Sequence, residues 1–418
     1  MTPLRRIEPT ELERAASAVP PETIAAAARI LDEVRAEGTP GLRRYAERLD
    51  GLAPDAPLVL DRAVLLRALV ERPAAERALL ERVAARVESF ARAQRDTLAP
   101  LDHPVEGGRA GHTWEPIERA GCYVPGGRYP LPSTALMTAL VARAAGVREV
   151  WIASPSPHPV TLAAAAVAGA DAVLCAGGVQ AIAALAYGVE PAPRVDLICG
   201  PGNRWVTAAK KLVYGDVGID MLAGPSELVV LADDTADPGL VAADLLAQAE
   251  HDPDARTFLV TTSPELLAAT EAALEAQLAD LPTADIARRA LAGGGAVLCA
   301  DLDEACNACD RLAPEHLEVL TRDPANLAPR LRHAGALFLG PGSAEVLGDY
   351  GAGPNHVLPT GGASRYTAGL SVFTFLRPRT WLHTQDPTQA ATDAQALARL
   401  EGLEAHARAA EVRVGGRC

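Results

Sequence analysis

Short apolar segments alternate with helical segments from about residue 118 onward, and this alternation constrains the fold more than any other feature of the sequence. Four segments of the first series are predicted strands, at 118–126, 147–155, 171–177 and 195–202. Segments with helical character separate them. Such βα alternation requires parallel strands whose crossover helices cover both faces of the sheet.

The alternation starts again near Ser226 and continues to about residue 341. Two α/β units of similar size therefore follow one another, which predicts a cleft between them. Residues 21 to about 97 are predicted to be mainly helical, and residues 366–418 to form an extended piece and one last helix. That last part is too small to build its own core and has to pack on something else, such as another subunit.

We therefore expect an α/β fold with two Rossmann-like parallel-sheet domains in series, a helical N-terminal region and a small C-terminal segment. At 418 residues the chain is too long for one compact core. The predicted boundaries are 1–110 for the helical region, 111–225 and 226–365 for the two α/β domains, and 366–418 for the C-terminal segment.

Charge and cysteine content exclude several classes of protein. The formal net charge is −14 with no basic stripe, so nucleic acid is not an expected partner. The N-terminus is polar, and no segment approaches the roughly 20 apolar residues of a membrane span, so we expect a cytoplasmic protein without membrane contact. Seven scattered cysteines indicate reduced thiols, and the single CxxC at Cys306 and Cys309 has no second pair to form a zinc ribbon.

The segment Asp237–Asp252 is predicted to be a helix that ends in a pair of metal ligands. Asp237 suits the N-cap and Pro238 the first helical position. Gln248 and His251 lie three residues apart, so both project from one face of the last turn, where an amide oxygen and an imidazole could hold zinc. Alternatively, His251 only complements the negative end of the helix dipole. Taken alone, Gln248 and His251 favour the helix-dipole explanation. The other candidate ligands in the sequence make zinc binding the preferred one.

Two glycine-rich turns are candidates for anion binding. The sequence contains no GxGxxG, so the usual dinucleotide fingerprint is absent. Gly200–Asn203 and Gly177–Gln180 instead follow predicted strands and open helices, where backbone amides could approach an anion. Ordinary turn chemistry explains both equally well.

Glu315 and His316 form a candidate acid–base pair between a helix and a strand. A carboxylate next to an imidazole could divide the work of base between two proton transfers. Asp349 and His356 share a glycine-rich segment and could join Gln248 and His251 as ligands suited to zinc.

Glu401 and His406 lie five residues apart on the predicted last helix, roughly 140° around it, so helix geometry alone does not group them. The remaining histidines are interpreted as structural, namely His103, His112, His158, His333 and His383.

Seven segments together resemble the histidinol dehydrogenase family, with their motifs in the family's order from about residue 20 to 406. They are CYVPGGRYPLPSTALM, GGVQAIAALAYG, GPGN, DMLAGPSE, LLAQAEH, RLAPEHLE and GDYGAGPNHVLPT. The resemblance implies a zinc enzyme that uses two molecules of NAD⁺ to oxidise L-histidinol through L-histidinaldehyde to L-histidine. It also implies a homodimer whose C-terminal segment reaches the active site of the partner subunit.

The resemblance assigns roles to individual residues, with zinc and catalysis in the second α/β domain and NAD contacts in the first. The implied zinc ligands are Gln248, His251, Asp349 and His406. The implied bases are Glu315 and His316, and the implied NAD contacts are Tyr123, Gln180 and Asn203. The implied substrate contacts are Ser226, Gln248, His251, His316, Asp349, His356, Glu401 and His406. Arg128 and Tyr129 follow the VPGG turn where smaller residues are expected, close to the NAD contacts.

Two other functions compete with this interpretation. The first is oxidation of a different small alcohol on the same fold, and Ser226, Glu401 and His406 disfavour it because they would recognise an amino alcohol that carries an imidazole. The second is metal-dependent binding without turnover, which would not need the adjacent bases Glu315 and His316.

Overall fold

The computed structural model describes residues 4–12, 19–126 and 130–414, so Arg128 and Tyr129 lie outside the described residues. The N-terminal region contains four helices, a short strand and a β-hairpin. These are α1 (Pro21–Glu37), α2 (Thr39–Asp50), β1 (Val59–Asp61), α3 (Arg62–Val70), α4 (Ala74–Asp96), β2 (Leu101–Val105) and β3 (Gly108–Pro116).

The first α/β unit follows directly. Its elements are β4 (Arg119–Tyr123), α5 (Pro132–Ala145), β5 (Glu149–Ala153), α6 (Pro159–Val167), β6 (Ala172–Leu174), α7 (Gly178–Tyr187), β7 (Leu197–Cys199), α8 (Arg204–Val213) and β8 (Gly218–Ile219). The strand order is β1-β6-β5-β4-β7-β8, and all pairs are parallel except β1 with β6. Helix α1 packs on α7 and α8, while α4 packs on α5, so N-terminal helices cover both layers of this unit.

The second α/β unit has a fully parallel sheet with the order β11-β10-β9-β12-β13. Its elements are β9 (Glu227–Ala232), α9 (Pro238–Ala249), β10 (Arg256–Thr261), α10 (Pro264–Ala279), α11 (Ala284–Gly293), β11 (Gly295–Leu298), α12 (Leu302–Leu312), β12 (His316–Leu320), α13 (Pro324–Leu327), β13 (Ala336–Leu339) and α14 (Glu345–Asp349). Every residue of the central strands β9 and β12 is buried, as expected of strands covered on both faces.

Residues 4–12 lie at the edge of the second sheet. The Ile7 N–H donates to the Ala296 carbonyl at 2.9 Å, and the Ala296 N–H donates to the Arg5 carbonyl at 2.8 Å. Leu4 is buried in the core of this unit. The N-terminal arm therefore contacts the second sheet, whereas α1 to α4 contact the first.

The C-terminal segment forms β14 (Leu376–Thr384), α15 (Thr388–Leu400) and α16 (Glu404–Glu411). Strand β14 pairs with β3 in a three-stranded antiparallel sheet, β14-β3-β2. The prediction of one last helix is wrong. Gly402 has a φ of 74°, a left-handed conformation that favours glycine, and it separates α15 from α16.

The two parallel sheets with their covering helices confirm the predicted α/β fold class. The domain boundaries drawn from the sequence remain a prediction. None of the helices in the described residues is both long and apolar enough to cross a membrane.

Candidate active site

A cleft of about 770 Å³ opens at the carboxyl ends of the first parallel sheet. Tyr123 ends β4, Gln180 lies in the first turn of α7, and Asn203 precedes α8, and all three line this cleft. The strand order reverses between β4 and β7, and such a switch point is where open α/β sheets bind ligands. The topology therefore brings together the three predicted NAD contacts.

Tyr123 and Gln180 are held by the turn that opens α7. The Tyr123 hydroxyl accepts from the Gly178 N–H at 3.0 Å, and burial raises the Tyr123 pKa to about 12, so the phenol is neutral. Gln180 is 1% exposed, and its Nε2 donates to Asp50 Oδ2 at 2.9 Å. The Gly177 N–H donates to the same carboxylate oxygen at 2.9 Å.

Protein groups occupy some of the backbone amides at the two glycine-rich turns. Asn203 Oδ1 accepts from the N–H groups of Trp205 at 3.0 Å and Val206 at 3.3 Å, as an N-cap does. This leaves the Asn203 side-chain nitrogen to contact a ligand. At Gly177 and Gly178 the two backbone donors are taken by Asp50 and Tyr123, so turn chemistry accounts for these two amides, and anion binding at the two glycine-rich segments stays a prediction.

A second group of polar side chains lies at the amino ends of β9 and β12. Glu315 and His316 stand at the start of β12, where His316 pairs in register with Leu228 of β9. Glu227, the first residue of β9, contacts both. Its N–H donates to Glu315 Oε2 at 2.9 Å, and its carbonyl oxygen lies 3.1 Å from His316 Nδ1.

These contacts define the protonation state of His316. A carbonyl oxygen only accepts, so His316 Nδ1 carries the hydrogen and Nε2 carries the lone pair. Burial lowers the His316 pKa to about 4, so the ring is neutral at pH 7, and the 3.7 Å approach of Nδ1 to Glu315 is not an ion pair. His316 Nε2 is buried with no hydrogen-bond partner among the described residues, and it lies 3.8 Å from Asp349 Oδ1.

Glu315 is a buried carboxyl group. It is 6% exposed, and burial raises its pKa well above the usual range, opposed by the hydrogen bond from the Glu227 N–H. A carboxyl group that is hard to ionise accepts a proton readily once it is ionised.

Three predicted zinc ligands of this chain converge beside His316. Gln248 is fully buried in the last turn of α9, whereas His251 lies two residues beyond the helix and is partly exposed. His251 Nε2 lies 4.0 Å from Asp349 Oδ2, and its Nδ1 lies 3.4 Å from the Gln248 amide. His316, Glu345 and Asp349 also present ligand atoms within 4.8 Å of one another. The His251 imidazole, the Asp349 carboxylate and the Gln248 amide offer one nitrogen and two oxygen donors, a set that fits a divalent cation such as zinc.

His356 connects this site to the first α/β unit. Its Nδ1 lies 3.0 Å from the Asp349 carbonyl oxygen, and its Nε2 lies 3.3 Å from the Thr134 hydroxyl of α5. Burial lowers the His356 pKa, so this ring is neutral as well. Ser226 precedes Glu227 and is half-buried, which places it at the same end of β9.

Glu401 and His406 do not reach this site within the chain. Both are exposed, and no side-chain hydrogen bond or ion pair among the described residues joins them to the predicted zinc ligands. They lie on different sides of the Gly402 break, so the 140° separation expected for a single helix does not apply.

Sequence reasoning missed three residues that hold the sites. Glu227 stands between Glu315 and His316, Glu345 lies beside Gln248, and Asp50 holds the turn at Gly177. Glu227 ends the motif DMLAGPSE, and Glu345 lies three residues before the motif GDYGAGPNHVLPT, but a glutamate at either position has no signature that separates it from a surface residue. Asp50 is 127 residues from Gly177 in the chain, and only the fold brings the two together.

Known proteins resemble this chain over nearly its full length. The model of the histidinol dehydrogenase family matches residues 13–414. Histidinol dehydrogenase of Parasynechococcus marenigrum is 47% identical over 92% of this chain and 90% of its own, and that of Thermus thermophilus is 48% identical over 92% and 93%. The crystal structure of histidinol dehydrogenase from Elizabethkingia anophelis matches with a TM-score of 0.93 at 31% identity, covering 99% of this chain and 98% of that one. The chain therefore belongs to the histidinol dehydrogenase family.

Proposed function

We propose that this protein oxidises L-histidinol to L-histidine through L-histidinaldehyde with two NAD⁺, as a step of histidine biosynthesis. The observation that carries the proposal is that Glu315 and His316, at the amino end of β12, lie beside three predicted zinc ligands, Gln248, His251 and Asp349. Membership of the family supports the substrate.

Gln248, His251 and Asp349 would hold zinc together with His406 from a second subunit. Bound zinc would supply an electrophilic anchor for the imidazole and amine of the substrate, and bound NAD⁺ would supply the hydride acceptor. Tyr123, Gln180 and Asn203 would bind NAD⁺ in the cleft of the first sheet. Ser226, His356 and Glu401 complete the proposed set of substrate contacts.

His316 Nε2 would remove the hydroxyl proton of the alcohol. An alcohol loses hydride poorly while it keeps that proton, so a base has to act with the hydride acceptor. The Glu227 carbonyl fixes the hydrogen on Nδ1, which keeps the lone pair at Nε2, and burial keeps the ring neutral.

Glu315 would serve the second oxidation. An aldehyde has to gain a hydroxyl group before it can lose a second hydride, and the Glu315 carboxylate would accept the proton of the attacking water. The Glu227 N–H holds Oε2, which orients the carboxylate next to His316. Two chemically different proton transfers account for two adjacent bases.

The active site is proposed to be shared between two subunits of a homodimer. Glu401 and His406 are exposed on the C-terminal helices, close to apolar side chains that are also exposed. Leu397 is 58% exposed, Leu400 85% and Leu403 44%. We propose that the partner subunit covers these leucines next to its own active site, so that Glu401 and His406 reach that site, as two-fold sharing requires.

Product analysis tests the proposed reaction. The purified, zinc-loaded protein should convert L-histidinol to L-histidine only when NAD⁺ is present, as followed by mass spectrometry. His316→Asn should lose this conversion, whereas Asp303→Asn, at an exposed position of α12, should keep it. A protein that only binds the metal would give no product. If the protein oxidised small alcohols without an imidazole as fast as L-histidinol, this would favour the alternative function, oxidation of a different small alcohol on the same fold.

A further inference from the structure

Glu345 is a buried carboxyl group without a role in the proposed reaction. It is 3% exposed and opens α14, the short helix that ends at Asp349. The Glu345 N–H donates to Glu318 Oε1 at 2.6 Å, so its backbone is fixed to β12. The Glu345 side chain therefore has a defined position beside the predicted metal ligands.

The partners of Gln248 determine which way its amide points. With the nitrogen toward Glu345, Gln248 donates to Oε1 at 2.9 Å and Oε2 at 3.2 Å. Burial and the nearby carboxyl groups raise the pKa of Glu345, but a protonated carboxyl carries one hydrogen for its two oxygens, whereas the Gln248 nitrogen offers a hydrogen to each of them. The nitrogen of Gln248 therefore faces Glu345, and its oxygen faces the side of His251.

This orientation matters because only the oxygen of a neutral amide binds a metal ion. Gln248 is fully buried, so water cannot compensate an amide that turns the wrong way. Partners that orient a ligand from behind typically change metal affinity by about 10–100-fold.

We propose that Glu345 is a positioning residue, which holds the Gln248 amide so that its oxygen faces the zinc site, and that Glu345 does not bind the metal itself. This inference rests on the proposed function, in which Gln248 is a zinc ligand. Glu345 acts through the hydrogen bonds that its carboxyl oxygens accept.

Zinc affinity of five variants, measured by competition with a chromophoric chelator, tests the proposal. Glu345→Ala should weaken zinc binding about 10–100-fold, since the amide loses its acceptor. Glu345→Gln keeps an oxygen that accepts from Gln248, so its affinity should stay within about threefold of the parent. Glu271→Gln is the matched control. It changes a buried carboxyl group of α10 that pairs with Arg6, and it should leave zinc affinity unchanged.

The double variant, Gln248→Ala with Glu345→Ala, separates positioning from ligation. It should bind zinc no more weakly than Gln248→Ala alone, because Glu345 has nothing left to orient. Additive losses would show that Glu345 acts on the metal directly and would overturn the proposal. Equal losses in Glu345→Gln and Glu345→Ala would overturn it as well, because the charge would then be what matters. Melting of the metal-free variants checks folding, and Glu345→Met replaces Glu345→Ala if that variant does not fold.

The same measurements distinguish this inference from the proposed function. If Gln248→Ala binds zinc as tightly as the parent, Gln248 is not a ligand, and both the ligand set and the inference are wrong. If Gln248→Ala weakens zinc binding but Glu345→Ala does not, only the inference is wrong.

Discussion

The carbonyl oxygen of Glu227 lies 3.1 Å from Nδ1 of His316, and this contact leaves Nε2 as the basic nitrogen of the ring. The same residue donates its N–H to Glu315. One backbone position in β9 thereby orients both proposed bases, Glu315 just before β12 and His316 as its first residue. Because both contacts come from the backbone of Glu227, they do not themselves require a glutamate side chain at this position.

Glu315→Gln should separate the two oxidations. The amide keeps the shape of the side chain and can still accept from the Glu227 N–H, but it cannot take a proton from water. We expect oxidation of L-histidinaldehyde to fall by about 100-fold or more, and the alcohol step to fall much less. Single-turnover measurements started from the alcohol and from the aldehyde distinguish the steps. Equal losses in both would contradict the proposed division of labour.

Asp349→Ala should release zinc. Asp349 lies 4.0 Å from His251 Nε2 and 3.8 Å from His316 Nε2, between the two imidazoles. We expect zinc affinity to fall by more than about 100-fold, because even loss of an orienting partner costs about 10–100-fold. Metal analysis after dialysis measures the effect, with Asp303→Ala as the exposed control. Full zinc content in Asp349→Ala would remove Asp349 from the site.

Glu318→Gln should stabilise the protein at alkaline pH. Burial, with the nearby Asp244 carboxylate, raises the Glu318 pKa from 4.5 to about 8. The folded state therefore keeps a proton that the unfolded state loses, so the free energy of unfolding falls as the pH rises from 4.5 through 8. Glu318→Gln has no carboxyl group to titrate at this position, so its free energy of unfolding does not fall for this reason. Its melting temperature should exceed that of the parent increasingly from pH 5 to pH 8, and a constant difference would contradict the assignment.

The parallel α/β framework was predictable because its signal is local. The strands predicted for both units are short apolar segments next to a helix, as at Glu227–Ala232 followed by Pro238–Ala249. The three-residue β1 and the two-residue β8 were not predicted, because segments this short carry no such pattern. The break at Gly402 was missed because a glycine between two amphipathic segments is compatible with a continuous helix as well as with a C-cap.

The arrangement of the site was only partly predictable. The resemblance supplied Gln248, His251 and Asp349, and the fold brings them together. It could not supply Glu345 or Asp50, since their effect depends on contacts between distant parts of the chain. His406 is exposed in this chain, and its role as a zinc ligand stays a prediction.

Mixing two inactive variants should restore activity if the sites are shared. Random pairing of His251→Asn and His406→Asn subunits gives half mixed dimers, each with one site that carries both defects and one that carries neither. Activity should return to about a quarter of the parent value. If His406 serves its own chain, every site keeps a defect and mixing restores nothing, once mass spectrometry has confirmed subunit exchange.

The number of NADH formed per L-histidinol tests the central claim most directly. Under limiting substrate and excess NAD⁺, absorbance of NADH gives the count, and chromatography identifies the product. The proposed pair of bases, Glu315 and His316, predicts two NADH for each L-histidinol, with L-histidine as the end product. One NADH with accumulation of the aldehyde would contradict a four-electron oxidation at this site.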